Sequence, residues 1–207
     1  VTLPMTEAGG RVLLLDVDGV LVTPPEMFGQ RLFRDHPEVA AEFFSGPFVD
    51  ASCGRLDLRD VLPPYLERFG YADTLEQFLL EWFGSENHPN LPILTAVREL
   101  RALGWPTFLA TNQERHRVRY LLEEMKLGEL VDGEFSSASI GARKPDAPYF
   151  VEVTRRLNIP PAQIMFWDDV QANVDAAAGA GWQAHLFMDA AQFRAVMELP
   201  LSAQPSI

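Results

Sequence analysis

Short apolar runs alternate with amphipathic stretches along most of this chain. Five runs carry the composition of buried strands: Val12–Asp16, Pro106–Thr111, Gly133–Ser136, Gln163–Asp168 and Gln183–Phe187. Each of the first four leads into a segment with helical spacing. These are Phe28–His36, behind a Pro-rich loop, then Gln113–Met125, Pro145–Leu157 and Gln171–Ala180. Leu94–Leu103 is a further helix that runs into the second strand. Regular alternation of strand and helix predicts an α/β fold, a parallel sheet with helices on both faces.

One connection breaks this rhythm. Between Val22 and about Pro92 no strand is visible, only helical segments such as Leu58–Phe69 and Thr74–Phe83. A crossover between parallel strands needs one helix, so the excess predicts a mostly helical insertion. Residues 23–92 are expected to form a small second domain over one edge of a sheet domain built from 1–22 and 93–207. Val1–Arg11 reads as a frayed lead-in and Leu199–Ile207, uncharged and with two prolines, as a loose tail.

Composition narrows the partners. At 207 residues the chain allows one domain with a modest insert, and its 47% hydrophobic and 22% charged residues are those of a globular protein. A net charge of −12 argues against nucleic-acid and anionic-membrane partners, which need basic surface. One cysteine, Cys53, excludes a disulfide framework and a multi-cysteine metal site. No apolar run approaches 18 residues, and no basic segment precedes a long apolar one, so the expectation is a cytoplasmic protein. For an anionic substrate, the same net charge would require positive groups concentrated at the site.

The candidate chemistry sits at the ends of the strands. Leu13-Leu14-Leu15-Asp16-Val17-Asp18-Gly19 is an apolar strand closing in D-x-D-G, and a spacing of two puts both carboxylates on one side of an extended chain. The plainer alternative is a strand end followed by ordinary loop acids. Ile164-Met165-Phe166-Trp167-Asp168-Asp169 ends in adjacent acids, of which Asp169 would serve as a helix N-cap. Capping accounts for one acid and leaves the other. Asp16, Asp18, Asp168 and Asp169 would repel one another unless a cation joined them, and a hard divalent ion such as Mg²⁺ suits oxygen ligands. Phe108-Leu109-Ala110-Thr111-Asn112 ends in a hydroxyl and an amide, which either cap the next helix or, with helix N-terminal amides, cradle an anion. Lys144-Pro145-Asp146 opens another helix, with Pro145 suited to its first turn. Its lysine is a surface residue unless a negative cluster lies near.

These four signals, in this order and each on its own strand-to-helix junction, resemble the haloacid dehalogenase-like (HAD) hydrolase superfamily. The likeness is to phosphatase-type members with a helical cap inserted after the first motif. It covers about Arg11 to Glu198, and Asp168-Asp169-x-x-x-Asn173-Val174-x-x-Ala177-x-x-x-Gly181 looks especially like the fourth motif. The resemblance implies a Rossmann-like core and Mg²⁺-dependent hydrolysis of a small phosphorylated metabolite, sugar phosphates among them. Asp16 would be the nucleophile that becomes an aspartyl-phosphate, and Asp18 the general acid and then base. Asp16, the Asp18 carbonyl and Asp168 or Asp169 would hold Mg²⁺. Thr111 and Asn112 would bind phosphate oxygens, and Lys144 would neutralise the transferring group. Mg²⁺ and Lys144 together would supply the local positive charge that the chain as a whole lacks.

Other readings share parts of this pattern. A haloacid dehalogenase keeps the aspartyl nucleophile but lacks the second acid, here Asp18. A sugar-phosphate mutase of the same superfamily uses both acids and Mg²⁺, and differs in its cap and in excluding water. A phospho-receiver, a switch with no turnover, carries its acid pair on the first strand and its lysine after the last acids; here an acid pair follows Lys144, and a helical insert of about seventy residues intervenes. Cys53 and Arg59 have the C-x₅-R spacing of cysteine phosphatases, but Asp57 between them would repel an anion and no strand precedes them. His36, His88, His116 and His185 have no ligand-like spacing. Substrate choice in capped members lies in the insert, where Ala51–Leu56 resembles the turn between cap helices, and Arg55 is the expected specificity residue. Its plainer alternative is a surface arginine paired with Asp57 or Asp60.

Overall fold

A computed structural model of the chain describes residues 10–200. Most of the expected lead-in and tail, residues 1–9 and 201–207, lie outside the described residues. Strands β1 (Val12–Leu15), β2 (Thr107–Thr111), β3 (Gly133–Ser136), β4 (Ile164–Asp168) and β5 (Gln183–Leu186) form one parallel sheet in the order β3-β2-β1-β4-β5. Each expected strand is present, some trimmed by a residue at an end. Register follows the apolar pattern: Leu14 stands beside Phe108 of β2 and Phe166 of β4.

After β1 the chain leaves the sheet for α1 (Phe28–Asp35), α2 (Pro37–Ser45), α3 (Pro47–Ser52), α4 (Leu58–Val61), α5 (Pro63–Leu66) and α6 (Leu75–Ser85). It returns through α7 (Leu91–Ala102). The outgoing and returning segments lie side by side. Thr23 N donates to the His88 carbonyl and Asn90 N to the Leu21 carbonyl, both at 2.9 Å. Phe28, Phe43, Phe69, Phe78, Trp82 and Phe83 bury one another among these helices, with Tyr120 packed against them. Leu58–Phe69, expected as one helix, is broken at Pro63, which lacks the N–H that continuity requires. Helices α2 and α3 were not expected, because each opens on a proline (Pro37, Pro47) that also reads as loop; proline fits the first helical turn, where its N–H is not needed.

The remaining helices are α8 (Arg115–Glu123), α9 (Ser137–Ile140), α10 (Ala147–Leu157), α11 (Gln171–Gly179) and α12 (Ala190–Val196). Period-two alternation divides them between the faces of the sheet. Leu13, Leu15, Leu109 and Trp167 pack with α7, α8 and α12, whereas Val12, Leu14, Phe108 and Phe166 pack with α10 and α11. The chain fills the sheet outward from β1 to β3, then crosses to β4 on the other side of β1. Strand order reverses there, so the carboxyl ends of β1 and β4 flank the crevice where open α/β sheets bind ligands. Among the described residues, no helix is long and apolar enough to cross a membrane.

Candidate active site

Asp16 leaves the end of β1 tied to its neighbour strand, its N–H donating to the Trp167 carbonyl at 2.9 Å. Its Oδ1 accepts from Val17 N at 2.8 Å and lies 3.1 Å from Lys144 Nζ. Lys144 is buried, so its ammonium is held by protein alone: it donates to Asp168 Oδ2 at 2.5 Å and to the Ala110 carbonyl at 2.7 Å. Its backbone is fixed by the side chain of Asn112, whose Nδ2 donates to the Lys144 carbonyl (2.8 Å) and whose Oδ1 accepts from Lys144 N (2.9 Å). The side-chain amide of Asn112, expected to meet phosphate, is thus engaged with the loop that positions the lysine.

The two acids after β4 differ sharply. Asp168 is fully buried, and its oxygens accept from Lys144 Nζ, from Val170 N at 2.8 Å and from Asn173 Nδ2 at 2.9 and 3.1 Å. Asp169 is exposed and lies against Gly19, where any Cβ would collide with its carboxylate. Gly19 also adopts φ +82°, so the sharp exit expected after D-x-D and the approach of Asp169 both require glycine there. The N-cap of α11 is Val170, not Asp169; Asp168 takes the loop N–H, leaving Asp169 free of that duty.

Asp18 is half-buried, with Oδ2 accepting from Gln113 Nε2 at 2.5 Å and Oδ1 buried without a partner. Asp16, Asp18, Thr111, Asn112 and Asp169 line an open cavity of about 530 Å³, whose lining continues through Thr23, Pro24, Pro25, Met27 and Gln30. One oxygen from each of Asp16, Asp168 and Asp169 falls within a span of 4.8 Å. Burial pushes the Asp16 carboxyl up to about 7 against the opposing pull of Lys144, with Asp168 and Asp18 raising it further. Asp18 is raised mainly by burial, and Asp169 by burial and then by Asp168. Three carboxylates sharing one ammonium carry more negative charge than the protein offsets. A hard divalent cation therefore fits the donor set.

The family model for haloacid dehalogenase-like hydrolases matches residues 11–181. The chain belongs to that family. Among curated relatives this family member is 30% identical over 131 residues to a phosphoglycolate phosphatase of Pseudomonas savastanoi pv. phaseolicola, covering 60% of this chain and 48% of the relative. It is 32% identical over 93 residues to a sesquiterpene phosphatase of Aspergillus oryzae, covering 45% and 47%. The chain thus spans about half the length of these relatives. A HAD family enzyme of Bacteroides thetaiotaomicron shares its fold, with TM-score 0.74 and 17% identity over 90% of this chain and 98% of the other. That enzyme has also been solved with magnesium and inorganic phosphate.

Within this family member, Asp16, Asp18, Thr111, Lys144, Asp168 and Asp169 converge as the sequence pattern implied, and Arg55 does not join them. Arg55 Nε donates to Asp50 Oδ1 at 2.7 Å, an exposed pair, and the arginine does not line the cavity. Its loop is docked on α9: Ser137 Oγ donates to the Ser52 carbonyl, and Gly54 lies so close to the Ala138 carbonyl that a side chain could not fit. In this arrangement the acid paired with Arg55 is Asp50, in place of Asp57 or Asp60. Two further helix starts differ from expectation. Helix α8 is capped by Glu114, which accepts from His116 N and Arg117 N, so Thr111 and Asn112 do not cap it. Helix α10 is preceded by Asp146 and has Pro148, not Pro145, in its first turn. The residues missed in the sequence are Gln113, taken only as a helix start, and Arg117, buried on α8 with its Nη2 3.2 Å from Glu86. An arginine in an amphipathic run gives no sign of burial.

Proposed function

We propose that this chain hydrolyses small phosphate monoesters with Mg²⁺ through an aspartyl-phosphate on Asp16. The observation that carries the reading is the pairing of a buried Asp16, held by Lys144, with an Asp18 oxygen left without a partner. Asp16 Oδ1 already accepts from Val17 N and faces Lys144, so Oδ2 is the atom left to attack phosphorus as the ester P–O bond breaks. Asp18, its carboxyl raised by burial and its Oδ2 held by Gln113, gives its proton to the departing alkoxide. It then takes a proton from water, which attacks phosphorus, breaks the bond to Asp16 and releases inorganic phosphate. Thr111 and the backbone amide of Asn112 are assigned to phosphoryl oxygens, with Lys144 countering charge on the nucleophile. Asp16, Asp169 and the Asp18 carbonyl would hold Mg²⁺, with Asp168 completing the cluster. When bound, the ion supplies positive charge against the phosphoryl oxygens.

Residues 23–92 belong in this proposal as a cap over the core. The paired crossing segments and the separate aromatic cluster support that division. The test is turnover of a panel of phosphorylated metabolites with Mg²⁺ and with chelator, for wild type and Asp16→Asn. Wild type should release inorganic phosphate only with metal, and the variant should lose on the order of 10⁴ in rate while keeping its fold. Retention of a tenth of wild-type turnover by Asp16→Asn would refute covalent catalysis. An isomerised ester in place of free phosphate would point to the mutase.

A further inference from the structure

The cavity extends well beyond the acids, and the chemistry of its far wall bears on what leaves the phosphorus. We propose that the alcohol released is uncharged and largely apolar, and that Met27 and Gln30 are the specificity-determining residues. This inference rests on the phosphatase reading.

A phosphoryl group fills only part of about 530 Å³, so the rest of the substrate lies between the acids and the wall made by Thr23, Pro24, Pro25, Met27, Gln30 and Val170. Four of these six are apolar and the other two are uncharged. Gln30 accepts from Met27 N through Oε1 at 3.1 Å, which leaves its NH₂ end as a neutral donor toward a hydroxyl or ether oxygen. The arginines of α1 and the buried arginine of α8 are committed elsewhere. Arg31 pairs with Glu81 and covers the ring of Phe28, Arg34 faces Glu26 and Asp35, and Arg117 faces Glu86. Lys144 is held by Asp16 and Asp168. Among the described residues lining the cavity, none is a lysine, arginine or histidine. A second anionic group on the substrate would therefore stand beside Asp18 and Asp169 with no side-chain cation on the cavity lining to offset it. A neutral carbon skeleton gains instead from contact with Met27, the prolines and Val170.

Phosphoglycolate and the phosphate ester of glycolamide make the comparison cleanly, because they differ in charge and hardly at all in shape. With purified enzyme and Mg²⁺, the neutral amide should exceed the carboxylate in kcat/KM by on the order of tenfold or more, and n-butyl phosphate should exceed ethyl phosphate. Gln30→Arg and, separately, Met27→Lys should each reverse the charge preference by a similar factor, read as the ratio of the two kcat/KM values. Phosphoglycolate turned over as well as its amide by the wild type would overturn the inference and leave the phosphatase reading standing, provided p-nitrophenyl phosphate is hydrolysed. No turnover of any ester, p-nitrophenyl phosphate included, would overturn both.

Discussion

Replacing Arg117 with Met tests how the helices between β1 and α7 are fastened to α8 on the sheet. The Arg117 and Glu86 side chains are 3% and 4% exposed, and their ion pair joins α8 to the segment after α6. Arg117 also donates to the Phe83 carbonyl at 3.0 Å, and Glu86 accepts from Phe28 N at 2.8 Å, so the pair also ties in the start of α1. Met keeps most of the arginine stem but strands Glu86, buried, with no cation. Breaking a buried pair from one side costs about 3–5 kcal/mol, much of it from the charge left behind. Burial already raises the Glu86 carboxyl above its usual value and Arg117 opposes that rise, so Arg117→Met pushes it higher still. A carboxyl raised in the folded state stabilises below its unfolded value and loses that contribution as pH climbs through the folded one. The deficit of the variant should therefore be largest at pH 8 and shrink toward pH 5, where Glu86 takes up a proton. Urea unfolding at several pH values measures this, and adding Glu86→Gln to the variant should recover most of the loss at pH 8. A loss below about 1 kcal/mol, or one flat with pH and untouched by Glu86→Gln, would refute the account.

Gln113→Leu should lower kcat on alkyl phosphates by about 10–10²-fold and far less on aryl phosphates, because in the proposed mechanism Gln113 orients Asp18 as proton donor; equal loss on both would remove it from that role. In the metal-free protein the Asp16 carboxyl rises from 3.8 to about 7, so its stabilising contribution disappears as pH climbs across that interval. Mg²⁺ should accordingly raise Tm more at pH 8 than at pH 5.5, and a gain independent of pH would count against Asp16 as a ligand.

The sheet was legible because its three central strands are buried on both faces and flanked by helices of clear period, so Val12–Leu15 and Ile164–Asp168 could hardly be anything else. The acids were legible for a related reason: charge at the end of a fully apolar run has no packing role to explain it. What stayed hidden depends on pairs distant in sequence. Nothing near Gln113 announces a bond to a residue 95 positions earlier, and nothing near Arg117 announces Glu86. Arg55 shows the converse. A glycine-flanked arginine between helices has the local look of a substrate loop, while the contact that fixes its loop is to Ser137, 85 residues on from Ser52. Helices α2 and α3 were lost because proline marks a loop and a helix start equally well.

The adjacent acids Asp168 and Asp169 carry one motif but sit in opposite environments, and their variants should separate two functions that the sequence merges. Every oxygen of Asp168 is engaged by Lys144, Val170 N or Asn173. In Asp168→Asn, one acceptor becomes an NH₂ that must face the Lys144 ammonium or the Asn173 amide, donor against donor, at a fully buried position. An unsatisfied buried group costs about 1–3 kcal/mol, more where a charge is involved. Asp168→Asn should therefore unfold at lower urea and leave Lys144 free to shift from Asp16. Asp169 is exposed beside Gly19 and has room to give its oxygens to an ion. Asp169→Asn should unfold close to wild type, within about 0.5 kcal/mol as surface changes do, while its Mg²⁺ affinity falls tenfold or more. Urea midpoints paired with Mg²⁺ titrations decide between them. If Asp168→Asn is the stable variant that loses Mg²⁺, and Asp169→Asn still binds the ion, the assignment is reversed: Asp168 is the ligand, and its hold on Lys144 is secondary.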